Sequence, residues 1–380
     1  MTCSLGSFEW KDVWRVPFMT GWRSWCFAAG FAAIETTRAD RWLRWAAQGP
    51  GVILTLHRVR PWREKSFAPN RFLEITPEFL GRVISLLRQD GFDVVPLDEV
   101  PARLESKRRR RPFAVITFDD GYRDNLEHAW PILKRHGAPW TVFIAPDFVE
   151  GRGRLWWLEL EESIARLDVV DITIGEIHLV LDTSSPRRKD AAYRQLYRRL
   201  RAVSEQESRA VTGHLASLID LDVSQYVAEQ CAGWDEISAL AQDPSVTIGS
   251  HTLSHPILLR NDSMFAAHEI KDSKSMIERR LGRPVKHLAF PFGDGGSVGP
   301  REFLLAREAG YLTAVTTCPG HVWPRHANRP TALPRVSING RYQTEAAVRA
   351  LLSGVPFIAW RPASERFVRE RGSRASCPSC

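Results

Sequence analysis

The stretch Phe113-Ala-Val-Ile-Thr-Phe-Asp-Asp-Gly-Tyr122 joins a short, largely apolar run to two adjacent carboxylates, Asp119 and Asp120. An apolar run of this length, bounded by a turn signal, predicts a buried β-strand rather than a helix. Similar runs recur along the chain, at residues 52–56, 92–95, 140–144, 246–248, 286–290, 312–316 and 333–338. The sequence therefore predicts about seven or eight buried β-strands.

Helical segments separate these strands. Thr76 and Pro77 have the residue types of a helix N-cap and first turn, and later helices are expected at residues 124–136, 263–281 and 300–309. Three of the helices end with a basic turn and a glycine, at Gly91, Gly137 and Gly310. Alternating strands and helices predict an α/β protein with a parallel sheet. The number of units favours a closed or nearly closed (β/α) barrel, and a doubly wound open sheet is the alternative.

Three segments depart from the alternation. Residues 1–50 are rich in Trp and Ala and are expected to form a helical accessory segment before a barrel of residues 51–352. Residues 151–232 are predicted to be a helical insertion in that barrel, carrying a hairpin and a strongly basic helix. Residues 353–380 are expected to be a basic, disordered tail.

Charge and cysteine content limit the choice of partner and compartment. The 380-residue chain has a formal net charge of +8, concentrated in residues 107–111 and 361–374, which we interpret as solvated linker and tail. No nucleic-acid recognition motif accompanies them. No run reaches the ~20 apolar residues of a membrane span, and residues 25–34, which faintly resemble a secretory signal, are predicted to be a packing helix. The six scattered cysteines lack a disulfide framework, so a cytoplasmic protein with reduced thiols is expected.

Reactive side chains follow several of the predicted strands. His57 ends the first, Asp119 and Asp120 end another, and His251 follows a third. In a parallel barrel these strand ends meet at one rim, which is where active sites lie. Two imidazoles and a carboxylate form a metal site with an open position, and a spare carboxylate can act as general base. The pattern predicts metal-assisted hydrolysis.

The two histidines of this set, His251 and His255, have the spacing of residues on one helical face. Pro256, however, disfavours helical geometry at His255. We therefore expect a turn or loop that brings both imidazole rings together.

Three segments resemble motifs of the polysaccharide deacetylase family, which is the NodB-homology group, carbohydrate esterase family 4. They are Thr117-Phe-Asp-Asp-Gly-Tyr122, Ser250-His-Thr-Leu-Ser-His255 and Phe290-Pro-Phe-Gly293. The resemblance covers roughly residues 51–352 outside the insertion. It implies a distorted (β/α) barrel that removes N-acetyl groups from an amino-sugar oligo- or polysaccharide. The implied cofactor is a divalent metal, most often Zn²⁺.

The resemblance also implies roles for individual residues. Asp120, His251 and His255 would bind the metal, and Asp119 would be the general base. The substrate site would be formed by Tyr122, Pro291, Phe292 and Gly293, with the backbone N–H of Phe292 helping to hold an oxyanion.

The sequence departs from the family pattern in two places. Leu288-Ala289-Phe290 stands where the third motif usually has an arginine that contacts the base, and Arg335 is the candidate replacement. The late Leu-x-Leu-His motif that bears the general acid is missing, but Leu54-Thr-Leu-His57 matches it near the start. This resembles a circularly permuted branch of the family and makes His57 the candidate acid. His321 and His326 are weaker alternatives.

Two other functions remain open at this stage. The same residues suit an amidase-type hydrolase of another C–N bond, and the missing arginine also allows a catalytically inactive glycan-binding protein.

Overall fold

The computed structural model of the chain describes residues 21–106 and 111–360. Within them, seven parallel strands form a closed barrel and follow one another around the ring in sequence order. β1 pairs with both β2 and β7, so the ring is closed, the barrel prediction is confirmed and the open-sheet alternative is wrong. The strands are β1 (Gly51–Leu56), β2 (Phe113–Phe118), β3 (Trp140–Ile144), β4 (Val246–Ser250), β5 (His287–Ala289), β6 (Thr313–Pro319) and β7 (Leu333–Ser337).

The barrel is distorted, as the resemblance implies. The pairing of β5 with β4 rests on a single register pair, Leu288 with Ser250. β6 shifts its register against β7 between Val315 and Pro319. The expected strand at 92–95 is only Asp93–Val94, which pairs with the start of β2 outside the ring. Another short parallel pair joins Arg58–Val59 to Glu74–Ile75.

The strands are largely apolar along their whole length because both of their faces are buried. Every residue of β1, β2 and β3 is buried, because side chains fill the barrel on one face and helices cover the other. The covering elements include the helices Pro77–Gln89, Val100–Glu105, Trp130–Arg135, Trp234–Leu240, Ser263–Leu281, Pro300–Glu308 and Glu345–Ser353, with a π-helical turn at Asn125–Ala129 and 3-10 turns at Pro69–Leu73, Leu97–Glu99, Leu258–Arg260 and Pro324–Asn328.

The helix boundaries follow the predicted signals. Thr76 caps the helix Pro77–Gln89 by accepting a hydrogen bond from the Phe79 N–H at 3.2 Å. Gly91, Gly137 and Gly310 have φ angles of +80°, +53° and +77°, a left-handed conformation that glycine adopts without steric cost. The three glycine stops are therefore confirmed.

The insertion lies between β3 and β4 and has its own apolar core, built from residues such as Leu160, Val170, Leu196 and Leu215. It contains the predicted hairpin, formed by the strands Val169–Ile174 and Ile177–Asp182. The short helix Pro146–Val149 precedes it. Its other helices are Trp156–Arg166, Pro186–Leu200, Glu205–Ser217 and Val223–Gln230.

The segments at the two ends of the described chain also contact the barrel. Helices cover Gly21–Thr37, Ala39–Trp42 and Arg44–Ala47, and Phe31 packs edge-on against Tyr342 with ring centroids 5.1 Å apart. No helix in the described part of the chain is long and apolar enough to cross a membrane. At the other end, the disorder prediction is wrong for residues 353–360. They end a helix and form the 3-10 turn Val355–Trp360, because Phe357 is buried in the main core. Residues 361–380, which are expected to be disordered, lie outside the described residues, as do residues 1–20.

Candidate active site

A pocket opens where the barrel strands end. Its lining includes His57 after β1, Asp119 and Asp120 after β2, and His251 and His255 after β4. Parallel strands present their carboxyl ends at the same rim, so residues far apart in sequence meet there. The structure thus brings together the four residues that sequence analysis placed at strand ends, and His255 from the loop that follows.

Three of these residues form a cluster of metal-ligand type. Single ligand atoms of Asp120, His251 and His255 all lie within 4.8 Å of one another. The Nε2 atoms of His251 and His255 are 3.3 and 3.4 Å from the same carboxylate oxygen, Oδ1 of Asp120. All three residues are buried.

The bonding of these atoms fits a divalent cation. Oδ1 of Asp120 is buried and has no hydrogen-bond partner among the described residues. His251 donates its Nδ1–H to the Ala289 carbonyl at 2.7 Å, which directs the Nε2 lone pair towards Asp120. Burial lowers the pKa of His255 to about 3, so its ring is neutral at pH 7 and carries a lone pair. Burial alone would lower the pKa of the His251 imidazole, but the neighbouring Asp120 and Asp119 carboxylates outweigh it and raise that pKa. A buried carboxylate oxygen that faces two imidazole nitrogens is the donor set expected for Zn²⁺.

The loop that carries His255 is held in an unusual backbone conformation. Thr252 and His255 both have a φ angle of 63°, and the segment is a turn rather than a helix, as Pro256 predicted. Glu269 fixes this loop by accepting hydrogen bonds from the N–H groups of Leu253 and Ser254, each at 2.9 Å. A buried carboxylate on the helix Ser263–Leu281 therefore sets the distance between the two imidazoles.

Asp119 lies beside the cluster and is bound by Arg335 from the opposite side of β1. Nη1 and Nη2 of Arg335 donate to Oδ1 and Oδ2 of Asp119 at 2.7 and 2.6 Å. Burial alone would raise the pKa of the Asp119 carboxyl, but the charge and hydrogen bonds of Arg335 outweigh it and lower that pKa. Asp119 is therefore ionised at neutral pH. Arg335 contacts the candidate base, which is the contact that the missing motif arginine would make.

His57 faces the same carboxylate. Its Nε2 lies 4.0 Å from Oδ2 of Asp119, and its side chain is 24% exposed, towards the pocket. Burial lowers the pKa of the imidazole more than the charges of Asp120 and Asp119 raise it. The carbonyl of His57 accepts a hydrogen bond from Asn125 at 2.8 Å, which fixes the backbone that presents the ring.

The weaker histidine candidates are held elsewhere. His321 is buried with Nδ1 accepting from the Gly49 N–H and Nε2 donating to the Leu351 carbonyl. His326 accepts from the Trp323 N–H. Neither residue lines the pocket around Asp119.

The segment Pro291–Asp294 forms one wall of the pocket through Phe292 and Asp294. Phe292 and Gly293 have φ angles of 59° and 62°, and a Cβ on Gly293 would lie 2.6 Å from the Thr317 nitrogen. The Phe292 ring lies 4.9 Å from the His255 ring. Its backbone N–H has no hydrogen-bond acceptor among the described residues. Pro291 and Gly293 shape this loop but do not themselves line the pocket.

Tyr122 does not reach the pocket, although it was expected to contact substrate. Its side chain is fully buried, and its hydroxyl accepts a hydrogen bond from Trp157 Nε1 at 3.2 Å. The Arg58 guanidinium stacks on the ring at 4.4 Å from its centroid. Trp157 of the insertion and Arg58 therefore cover Tyr122, and its side chain does not line the pocket.

The insertion supplies wall residues that sequence analysis did not identify. Trp157, Tyr197 and Arg201 line the pocket. Arg201 donates to Asp294 at 2.9 Å and lies 4.8 Å from the Phe292 ring centroid. The aromatic pair Trp156–Trp157 soon after β3 was the only signal in the sequence for this wall.

Known proteins resemble this region in sequence and in fold. The family model described as Polysaccharide deacetylase matches residues 106–313. The Bacillus subtilis protein named "Putative polysaccharide deacetylase YxkH" is 27% identical over 107 residues, which are 28% of this chain and 38% of that protein. The curated relative is thus matched over well under half of its length. His57 and Arg335 lie outside the residues that the family model matches.

Two solved structures share the fold at low identity. The Streptococcus pyogenes deacetylase PplD in complex with acetate gives a TM-score of 0.51 at 16% identity, covering 76% of this chain and 92% of that one. IcaB from Ammonifex degensii gives 0.50 at 18% identity, covering 80% and 97%. Because the family model matches more than half of the residues, and the barrel carries the motif side chains at one rim, the chain belongs to the polysaccharide deacetylase family.

Proposed function

We propose that the protein is a metal-dependent hydrolase that removes N-acetyl groups from an amino-sugar oligo- or polysaccharide. Membership of the family supports de-N-acetylation of a glycan. The observation that carries the metal dependence is the unpartnered Oδ1 of Asp120, which faces Nε2 of His251 and of His255. A cation bound between these three atoms would offset the cost of burying the carboxylate oxygen.

Asp120, His251 and His255 would hold the ion, with Zn²⁺ the best match to their donor atoms. A bound Zn²⁺ supplies Lewis-acid polarisation of the acetamide carbonyl and acidifies water at neutral pH. Asp119, kept ionised by Arg335, accepts the proton of the attacking water.

The remaining roles fall to the walls of the pocket. The Phe292 N–H has no other acceptor among the described residues, so it is able to donate to the developing oxyanion. His57 in its protonated form donates a proton to the departing amine, which leaves as a free amino sugar while acetate is released. His57 comes from the first barrel strand, in keeping with a circularly permuted order of motifs.

Acetate release from N-acetylglucosamine oligomers tests the proposal. The protein is stripped of metal with a chelator and then reloaded with zinc or cobalt. Release that depends on metal is the expected result. Stoichiometric metal binding without release would favour hydrolysis of another C–N bond, and failure to bind metal would favour a glycan-binding protein without catalysis.

A further inference from the structure

The pocket is larger than the catalytic groups require. Its volume is about 330 Å³, and it extends from Asp119 to a wall of apolar side chains. This apolar wall consists of the aliphatic side chains Leu73, Ile338, Val348 and Leu351 and the aromatic side chains Phe31, Phe72, Phe79 and Phe357. The wall combines the N-terminal helix, the segment after β1 and the segments after β7.

The chemistry of the apolar wall does not suit a sugar ring. None of its eight side chains offers a hydrogen bond, and the four aliphatic ones offer no flat aromatic face either. Sugar hydroxyls placed against them would lose hydrogen bonds to water without replacement. Binding of an aliphatic group there would instead become more favourable with each methylene that leaves water.

A guanidinium without a carboxylate partner lies at the same wall. Arg341 lines the pocket, is half-buried, and stacks over the Phe72 ring at 5.4 Å from the centroid. Among the described residues it makes no ion pair, whereas Arg335 pairs with Asp119 and Arg201 with Asp294. Burial lowers the pKa of Arg341, and no carboxylate opposes this effect. An anion on the ligand would supply the missing partner.

The turn that carries Arg341 is fixed in place. The Gly340 N–H donates to the Phe72 carbonyl at 3.0 Å, and a Cβ on Gly340 would lie 2.3 Å from the Arg71 carbonyl oxygen. The Arg341 N–H donates to Asn339 Oδ1 at 3.1 Å. The guanidinium is therefore presented by a tightly packed turn rather than by a freely moving loop.

We infer that the apolar wall and Arg341 bind the aglycone of the substrate, an aliphatic chain joined to the N-acetylated amino sugar through an anionic phosphodiester. The sugar lies at Asp119 and the metal ligands, the phosphodiester at Arg341 and the chain along the apolar wall. This inference rests on the proposed deacetylase function and names its substrate class.

Three N-acetylglucosamine derivatives test it: the methyl glycoside, the decyl glycoside and the decyl phosphodiester, each below its micelle concentration. We expect kcat/KM to rise at least tenfold from methyl to decyl glycoside, since each buried methylene contributes up to about fourfold. Replacing the decyl glycoside by the decyl phosphodiester should raise kcat/KM roughly a further tenfold. Arg341→Gln should abolish only the phosphodiester gain, which is the increase in kcat/KM from decyl glycoside to decyl phosphodiester. Leu351→Asn should reduce the decyl gain, which is the increase in kcat/KM from methyl to decyl glycoside. Exposed Arg279 provides the matched control, Arg279→Gln, which should retain both gains.

Each gain is a ratio between substrates within one variant, so partial misfolding does not produce the effect. Equal kcat/KM for all three derivatives would overturn the inference while leaving deacetylation intact. Binding of decyl phosphate alone, measured by calorimetry, separates the two claims. If decyl phosphate binds and Arg341→Gln weakens that binding at least tenfold, but no derivative releases acetate, the aglycone site stands and the deacetylase proposal fails.

Discussion

Arg335 on β7 holds both carboxylate oxygens of Asp119, which follows β2, across the intervening strand β1. Its Nε donates to the Thr316 carbonyl at 2.9 Å and its Nη1 also donates to Thr117 Oγ1 at 3.1 Å. The guanidinium is thus held by Thr316 of β6 and Thr117 of β2 as well as by Asp119. This arrangement orients the candidate base and keeps it charged without using a residue from the third motif.

Replacing the arginine should change the pH dependence of activity. Arg335 lowers the pKa of Asp119, so Arg335→Met should raise that pKa and move the acidic limb of the kcat/KM profile to higher pH. We expect a loss of at least 100-fold at neutral pH, with metal content retained. Arg279→Gln, on an outer helix, is the control for charge. An acidic limb at the wild-type position would show that Arg335 does not tune the base.

The two adjacent aspartates should separate metal binding from proton transfer. Asp120→Asn removes the charge that faces His251 and His255, so metal content and activity should fall together. Asp119→Asn should keep stoichiometric metal but lose about 1000-fold in kcat. Metal analysis alongside acetate release distinguishes the variants. Loss of metal from Asp119→Asn would reverse the assigned roles.

The contribution of His57 to the rate of hydrolysis should increase with the basicity of the leaving group. His57→Gln removes the proton donor, so acetamide hydrolysis should fall about 100-fold. Hydrolysis of an activated acetyl ester, whose leaving group needs no proton, should fall less than tenfold. Kinetics with both substrates, and His326→Gln as control, provide the comparison. Equal losses for amide and ester would assign His57 to positioning instead.

Gly293 should be required for the shape of the oxyanion wall rather than for the metal. Its φ of 62° and the 2.6 Å approach of an added Cβ to the Thr317 nitrogen leave no room for a side chain. Gly293→Ala should therefore displace Phe292 and lower kcat at least tenfold at unchanged metal content. Gly282→Ala, which shares the left-handed conformation but has open space around it, is the control. Full activity in Gly293→Ala would exclude the Phe292 N–H as an oxyanion donor.

The sequence by itself determined the barrel and the rim at which its chemistry lies. Buried parallel strands need continuous apolar runs, and the glycine stops at Gly137 and Gly310 need a left-handed residue, so both leave a local pattern. Strand ends converge in any parallel barrel, which is why His57, Asp119 and His251 could be placed together. The turn at His255 followed from the proline after it.

Only the tertiary structure decided which side chains meet. Whether Arg335 reaches Asp119 depends on how β7 closes against β1, and no local pattern encodes that contact. The packing of the insertion buried Tyr122 and brought Arg201 to Asp294, and burial of Phe357 ordered residues predicted to be disordered. The unpaired state of Arg341 is likewise a property of its surroundings. Local sequence specifies backbone conformation and burial preference, whereas contacts between distant strands and loops depend on the closed geometry of the whole barrel.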